Sequence, residues 1–220
     1  MAEQIELSAS LLAADYGMMR ADLERAESCH VHRFHFDFMD GHYVPNLALT
    51  PAHIQALRPF SALPFDVHLE ISNPEEVIDH FPWEGVSMLI FQADTISANT
   101  TLFGRARSLG LRVGLSVNPD DQIAPFKSML PEIDQFLVLG VQPGFGGQPM
   151  HPATAGRVAE VRALAGDLPL EVAVDGGVHL KNAADLVAAG ADVLVVGTAI
   201  FGAEEIEQSI RAFHQIIKSN

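Results

Sequence analysis

From His35 to Asn46 the chain reads His-Phe-Asp-Phe-Met-Asp-Gly-His-Tyr-Val-Pro-Asn. Phe34, Phe36 and Phe38 alternate with His35, Asp37 and Met39. A strand has a period of two, so the second set projects to one face together. An imidazole and a carboxylate side by side at a strand end are costly to bury unless they are paired or coordinated. His68 and Asp175 offer the same two chemistries at the ends of other apolar runs. Two imidazoles and two carboxylates suit Zn²⁺, Fe²⁺, Mn²⁺ or Co²⁺ and do not select among them. Taken singly, His68 reads as a core or rim histidine, and Asp175 before Gly176-Gly177 as a turn initiator. Together, four ligand-type residues at one end of one fold favour a site. His30, His32, His42, His53, His80, His151, His179 and His214 lie on polar faces or loops and receive no ligand role, and Asp40 before Gly41 orders the loop that follows it.

A second chemistry sits in glycines. Pro143-Gly144-Phe145-Gly146-Gly147-Gln148 follows one apolar run, Gly176-Gly177 the next, and Gly197-Thr198 the last. Glycine lets the backbone approach an anion and aim successive N–H groups at it. One such loop is a weak signal; three after consecutive strands read as a phosphate cradle. The formal charge of −15 over 220 residues, with no lysine or arginine cluster, argues against nucleic acid and anionic membranes as partners. Backbone donors or a metal must then hold any anionic substrate.

These residues need a scaffold that brings strand ends together. Apolar runs predict strands at Ile5–Ser10, Arg33–Phe38, Phe65–Leu69, Ser87–Gln92, Arg112–Val117, Phe136–Val141, Glu171–Val174 and Asp192–Val196. Helical patterns lie between them at Tyr16–Cys29, Pro51–Leu57, Pro74–Phe81, Ile96–Leu109, Pro119–Met129, Pro152–Leu164, Leu180–Ala189 and Ala203–Lys218. Eight such alternations predict an α/β fold, a (β/α)8 TIM barrel in one domain over residues 1–220, whose chemistry sits at the C-terminal strand ends. An open doubly wound sheet is the alternative, but no G-x-G-x-x-G follows the first strand. With 48% hydrophobic residues a large core is available. The single cysteine, Cys29, the lack of a signal-peptide pattern and apolar runs too short to span a bilayer point to a cytoplasmic protein.

The motifs resemble those of the ribulose-phosphate 3-epimerase family over nearly the whole chain. Ser8–Tyr16 is similar to its opening strand, and His35–Asn46 to its H-x-D-x-M-D-G-x-[FY]-V-P-N signature. Asp66-Val67-His68-Leu69, Pro143–Gln148, Val174–Val178 and Ala189–Ala191 with Gly197–Phe201 follow in the family's order. The resemblance implies a barrel of the ribulose-phosphate-binding type and a homo-oligomer. It also implies one divalent metal held by His35, Asp37, His68 and Asp175. Asp37 and Asp175 would then exchange a proton on opposite faces of C3 of a ketose phosphate, with D-ribulose 5-phosphate to D-xylulose 5-phosphate the first candidate. Ser10, Met39 and His68 would contact the substrate. Gly144, Phe145, Gly146, Gly147, Gly176, Gly177, Gly197 and Thr198 would hold its phosphate end.

The chain departs from the pattern at Glu70, where the family has methionine, at Gln92-Ala93-Asp94 in place of H-x-E, and at Leu139 in place of another methionine. These changes motivate a relative acting on another ketose phosphate, such as D-allulose 6-phosphate. Glu70 would either contact a substrate hydroxyl or point outward. A phosphate-barrel lyase is a poor match, because Asp66–Ile71 lacks the lysine and last aspartate of D-x-K-x-x-D. A non-catalytic sugar-phosphate binder is the remaining alternative, and the intact acid–base set argues against it.

Overall fold

The computed structural model describes residues 5–97 and 101–218. Its strands are β1 (Glu6–Ser10), β2 (Arg33–Asp40), a two-residue β3 (Leu47–Ala48), β4 (Phe65–Glu70), β5 (Met88–Gln92), β6 (Arg112–Val117), β7 (Gln135–Leu139), β8 (Glu171–Asp175) and β9 (Val193–Val196). Apart from β3, each pairs in parallel with its neighbours, and β1 pairs with both β2 and β9, which closes an eight-stranded barrel. Helices α1 (Met19–Ser28), α2 (Pro51–Leu57), α3 (Pro74–Val77), α4 (Leu102–Ser108), α5 (Thr154–Ala165), α6 (Ala183–Ala188), α7 (Thr198–Phe201) and α8 (Ile206–Lys218) fill the connections.

Local chemistry accounts for these elements. In α8 the buried residues Ile206, Ile210, Phe213 and Ile217 recur at helical spacing, one stripe against the barrel. Pro51 opens α2, where the Thr50 N–H donates to His53 Nδ1 at 3.1 Å in a capping-box arrangement. The helix expected over Pro119–Met129 is instead a 3-10 helix at Ala124–Glu132, with Pro131, which lacks the N–H an α-ladder needs, inside it. The helix expected over Pro74–Phe81 shortens to α3. Of Ile96–Leu109, residues 98–100 lie outside the described residues and α4 begins at Leu102. Strand β3, antiparallel to the end of β2, and the single turn α7 are additions that no periodicity announces.

Alternation along each strand sorts side chains between two interiors. Phe34, Phe36, Phe65 and Phe91 belong to the large core under the helices. Ile90, Leu137, Ala173 and Val195 meet inside the ring. On β2 and β4 the inward set is polar: Arg33, His35 and Asp37, then Asp66, His68 and Glu70. Arg33 closes the floor, with Nη1 3.1 Å from Asp66 Oδ2 and 3.3 Å from Glu171 Oε2, and Nη2 against Glu6. Above that floor the inward residues become the site.

Candidate active site

His35 and Asp37 arise two residues apart on β2, and register places Asp37 beside His68 of β4. Asp37 Oδ1 lies 3.1 Å from His35 Nε2 and 3.2 Å from His68 Nδ1, while its Oδ2 accepts from Ser10 Oγ at 3.2 Å. Asp175, the last residue of β8, brings its Oδ2 to 3.7 Å from His35 Nε2. One donor atom from each of His35, Asp37, His68 and Asp175 falls within 4.8 Å of all the others. His35, Asp37 and His68 are buried and Asp175 nearly so.

Above this cluster opens a cavity of about 280 Å³ lined by Ser10, Asp37, Met39 and Asp175 and by all eight predicted phosphate-end residues, Gly144, Phe145, Gly146, Gly147, Gly176, Gly177, Gly197 and Thr198. His35 and His68 lie beneath it rather than on its wall. The loops converge: Cβ atoms placed on Gly146 and Gly147 would stand 3.6 and 3.9 Å from Thr198 Oγ1. Gly177 has φ 69°, and a Cβ there would meet the Met150 backbone N at 2.7 Å, so only glycine fits this close pass. Among the described residues, no lysine or arginine lines the cavity.

Electrostatics follow from burial of like charges. Burial opposes ionisation of Asp37, yet its contacts with His35 and His68 hold it well below the usual carboxylate range. Burial and the Asp37 charge push Asp175 up to about 7. Burial alone would lower His35, but the carboxylates of Asp37 and Asp175 raise it to about 9. Burial lowers His68. Glu70 also lines the cavity; burial, then Asp37 and Asp175, raise it well above its ordinary value.

Three carboxylates thus face one cavity with neither lysine nor arginine among its described lining residues, and two imidazoles converge on the deepest of them. This donor set fits a divalent ion, which would supply the missing positive charge.

Several contributions are invisible in residue types alone. Asn46 Nδ2 donates to Gly144 O at 2.7 Å, tying the loop after β2 to the loop after β7. Asp40, expected from the sequence to order the first of these, does so by accepting from the N–H groups of His42, Tyr43 and Ser72, each at 2.8 Å. Tyr43 Oη, Asp94 and Asn118 form a hydrogen-bonded group at the rim. His179, given no role in the sequence, lines the cavity, and Glu70 points inward rather than out. His32 accepts from the Leu7 N–H, and His214 pairs with Cys29 O, both away from the site.

Residues 6–201 match the ribulose-phosphate 3 epimerase family. The chain belongs to this family. It is 34% identical over 209 residues to ribulose-phosphate 3-epimerase 1 of Cupriavidus necator, covering 92% of this chain and 87% of that one. It is 31% identical over 209 residues to ribulose-phosphate 3-epimerase of Bacillus subtilis, covering 94% and 96%. Family membership makes it an enzyme of the isomerase class, a carbohydrate epimerase. Among solved structures it resembles orotidine 5'-phosphate decarboxylase from Pyrococcus horikoshii, with a TM-score of 0.72 at 14% identity over 96% of this chain and 99% of that one. KGPDC from Streptococcus mutans gives a TM-score of 0.73 at 13% identity over 98% of each chain. At those identities the likeness speaks for the barrel alone.

Proposed function

We propose that this epimerase inverts C3 of a ketose phosphate, with D-ribulose 5-phosphate to D-xylulose 5-phosphate the first candidate. The observation that carries the reading is a pair of carboxylates, Asp37 from β2 and Asp175 from β8, flanking His35 at 3.1 and 3.7 Å beneath one cavity. Epimerisation needs one group to take the C3 proton from one face and another to return it to the opposite face. Two carboxylates from separate strands meet that need. Their unlike environments suit unlike roles: Asp37 is held ionised and ready to accept a proton, and Asp175 is biased toward holding one. The reverse reaction exchanges those roles, and the two carboxylates titrate as one coupled system. His35, Asp37, His68 and Asp175 would hold one divalent ion, Zn²⁺, Fe²⁺, Mn²⁺ or Co²⁺. That ion supplies Lewis-acid stabilisation of the negative charge that appears on the substrate oxygens once the proton leaves.

The phosphate end is assigned to the glycine loops after β7, β8 and β9, whose backbone N–H groups serve an anion without a basic side chain. Ser10 and Met39 contact the middle of the substrate. The reading covers one barrel domain over residues 1–220, in the cytoplasm, as a homo-oligomer; light scattering of the purified protein tests the last point. A second reading, a hexulose phosphate such as D-allulose 6-phosphate, is favoured by Glu70 and Leu139, both in the cavity wall.

The test is kcat/KM across a ketose-phosphate panel on protein of known metal content, with incorporation of solvent deuterium at C3 followed for each sugar. Fastest exchange into D-ribulose 5-phosphate supports the first candidate. A clear preference for a six-carbon substrate replaces it with the second. Binding without exchange for every sugar makes the chain a sugar-phosphate binder.

A further inference from the structure

Three buried polar atoms on adjacent strands have no hydrogen-bond partner among the described residues: Glu70 Oε2 on β4, Gln92 Oε1 on β5 and Ser116 Oγ on β6. Each belongs to the uppermost inward position of its strand. Gln92 stands opposite Ser116, and Glu70 follows Leu69, which stands opposite Phe91, so the three form one continuous arc. Their relative exposures are 4, 0 and 0%. Glu70 is the member that reaches the cavity. Buried polar atoms are nearly always satisfied, because leaving one unpaired forfeits its hydration with nothing in return. The Gly144 N–H faces the Glu70 carboxyl, so the acceptors left open are Glu70 Oε2 and Gln92 Oε1, which a donor from a bound molecule would satisfy.

The ring order says which part of a substrate faces the arc. In the eight-stranded circle β4 lies opposite β8 and β5 opposite β9. Gly176, Gly177 and Gly197, at the ends of β8 and β9, are therefore across the mouth from Glu70 and Gln92. Place a ketose phosphate with its phosphate on the glycines and its reacting carbons above Asp37 and Asp175. The end left to meet Glu70 is the one furthest from the phosphate, the hydroxymethyl group beside the carbonyl. Glu70 Oε1, 3.7 Å from His68 Nδ1, borders the four-donor cluster, while Oε2 is the unpaired atom.

We propose that Glu70, flanked by Gln92 and Ser116, accepts a hydrogen bond from the C1 hydroxyl of the substrate and selects ketose phosphates that carry it. The proposal rests on the epimerase reading for the placement of the sugar. A site built around a hydroxyl rejects the analogue lacking it, because the buried acceptor is then stranded.

The experiment compares D-xylulose 5-phosphate with 1-deoxy-D-xylulose 5-phosphate on the metal-loaded wild type, Glu70→Met and Glu70→Ala. Dissociation constants come from calorimetry, and C3 proton exchange is read by deuterium incorporation. The wild type should favour the hydroxylated sugar by roughly 10- to 100-fold, and both variants should reduce that ratio to within about threefold. The loss should fall on the hydroxylated sugar and leave the deoxy analogue nearly unchanged. An undiminished ratio in either folded variant overturns the role of Glu70. Binding with the expected ratio but no exchange at C3 overturns the epimerase reading and supports the hydroxyl contact. Binding of neither sugar overturns both.

Discussion

At the scale of single residues, the site is an arrangement of charge that the chain alone does not balance. Asp37 satisfies itself with His35, His68 and Ser10, at 3.1 to 3.2 Å. Asp175 has His35 at 3.7 Å and the Gly176 N–H, yet burial beside the Asp37 charge raises it to about 7. That asymmetry separates an acceptor from a donor within one pair. Asp37→Asn and Asp175→Asn each remove a proton-transfer group while keeping its volume. Each should slow deuterium exchange at C3 by about 100- to 10,000-fold, with circular dichroism and the unfolding transition still showing a folded barrel. If both variants exchange at near wild-type rates, the two-carboxylate mechanism is wrong.

At the scale of elements, strands deliver the chemistry and loops deliver the substrate. The loop after β7 is braced from inside by Gln148 Nε2, which donates to Gln142 O at 2.8 Å and Phe145 O at 2.7 Å, and from outside by Asn46. Asn46→Ala frees the Gly144 carbonyl and loosens the glycine cradle without touching the carboxylates. It should raise KM several-fold, the equivalent of about 1 kcal/mol for one hydrogen bond, and leave kcat within about twofold. An equal loss in kcat with unchanged KM would place Asn46 in the chemical step instead. The same division explains what could be read from the sequence. Strand alternation puts His35, Asp37 and Met39 on one face, and strand ends in a barrel converge, so the grouping of His35, Asp37, His68 and Asp175 was legible from spacing and strand count. The glycine loops were legible because Gly177 and its neighbours have no substitute at so tight a pass. The inward turn of Glu70 was not, since the apolar run predicts a strand ending at Leu69; β4 runs one residue further, and alternation then carries Glu70 to the face of His68. Asn46 and the Tyr43–Asp94–Asn118 group depend on contacts 98, 51 and 75 residues apart, which no local pattern encodes. Helix bounds failed where a proline lies inside the element, as at Pro131.

At the scale of the whole molecule, the barrel interior is polar at both ends and apolar between. The floor is answered by guanidinium groups within the chain, Arg33 and Arg112 facing Asp66, Glu171 and Glu6. The top is not, and this difference makes stability without metal depend on pH in a definite direction. His35 rises to about 9 from 6.5, so its stabilising contribution is complete below about pH 6.5 and is lost as pH climbs through 9. Asp175 rises to about 7 from 3.8, so between those values the folded chain holds a proton that the unfolded chain has released. By linkage, stability again falls as pH rises through that window. Asp37, shifted the opposite way, stays ionised in both states above pH 5 and does not offset either trend. Metal-free protein should therefore show a melting temperature that declines from pH 7 to pH 9, above the range in which His68, lowered by burial, works in the opposite direction. Divalent ion binds the deprotonated donors, so its stabilisation should grow over the same range. Thermal melts of chelator-treated and Mn²⁺- or Zn²⁺-loaded protein at pH 5, 7 and 9 measure both slopes. The two curves should diverge with rising pH, and His35→Asn should flatten the metal-free slope above pH 7 while abolishing most of the metal-induced gain. Parallel curves would mean that the ion binds somewhere other than His35, Asp37, His68 and Asp175.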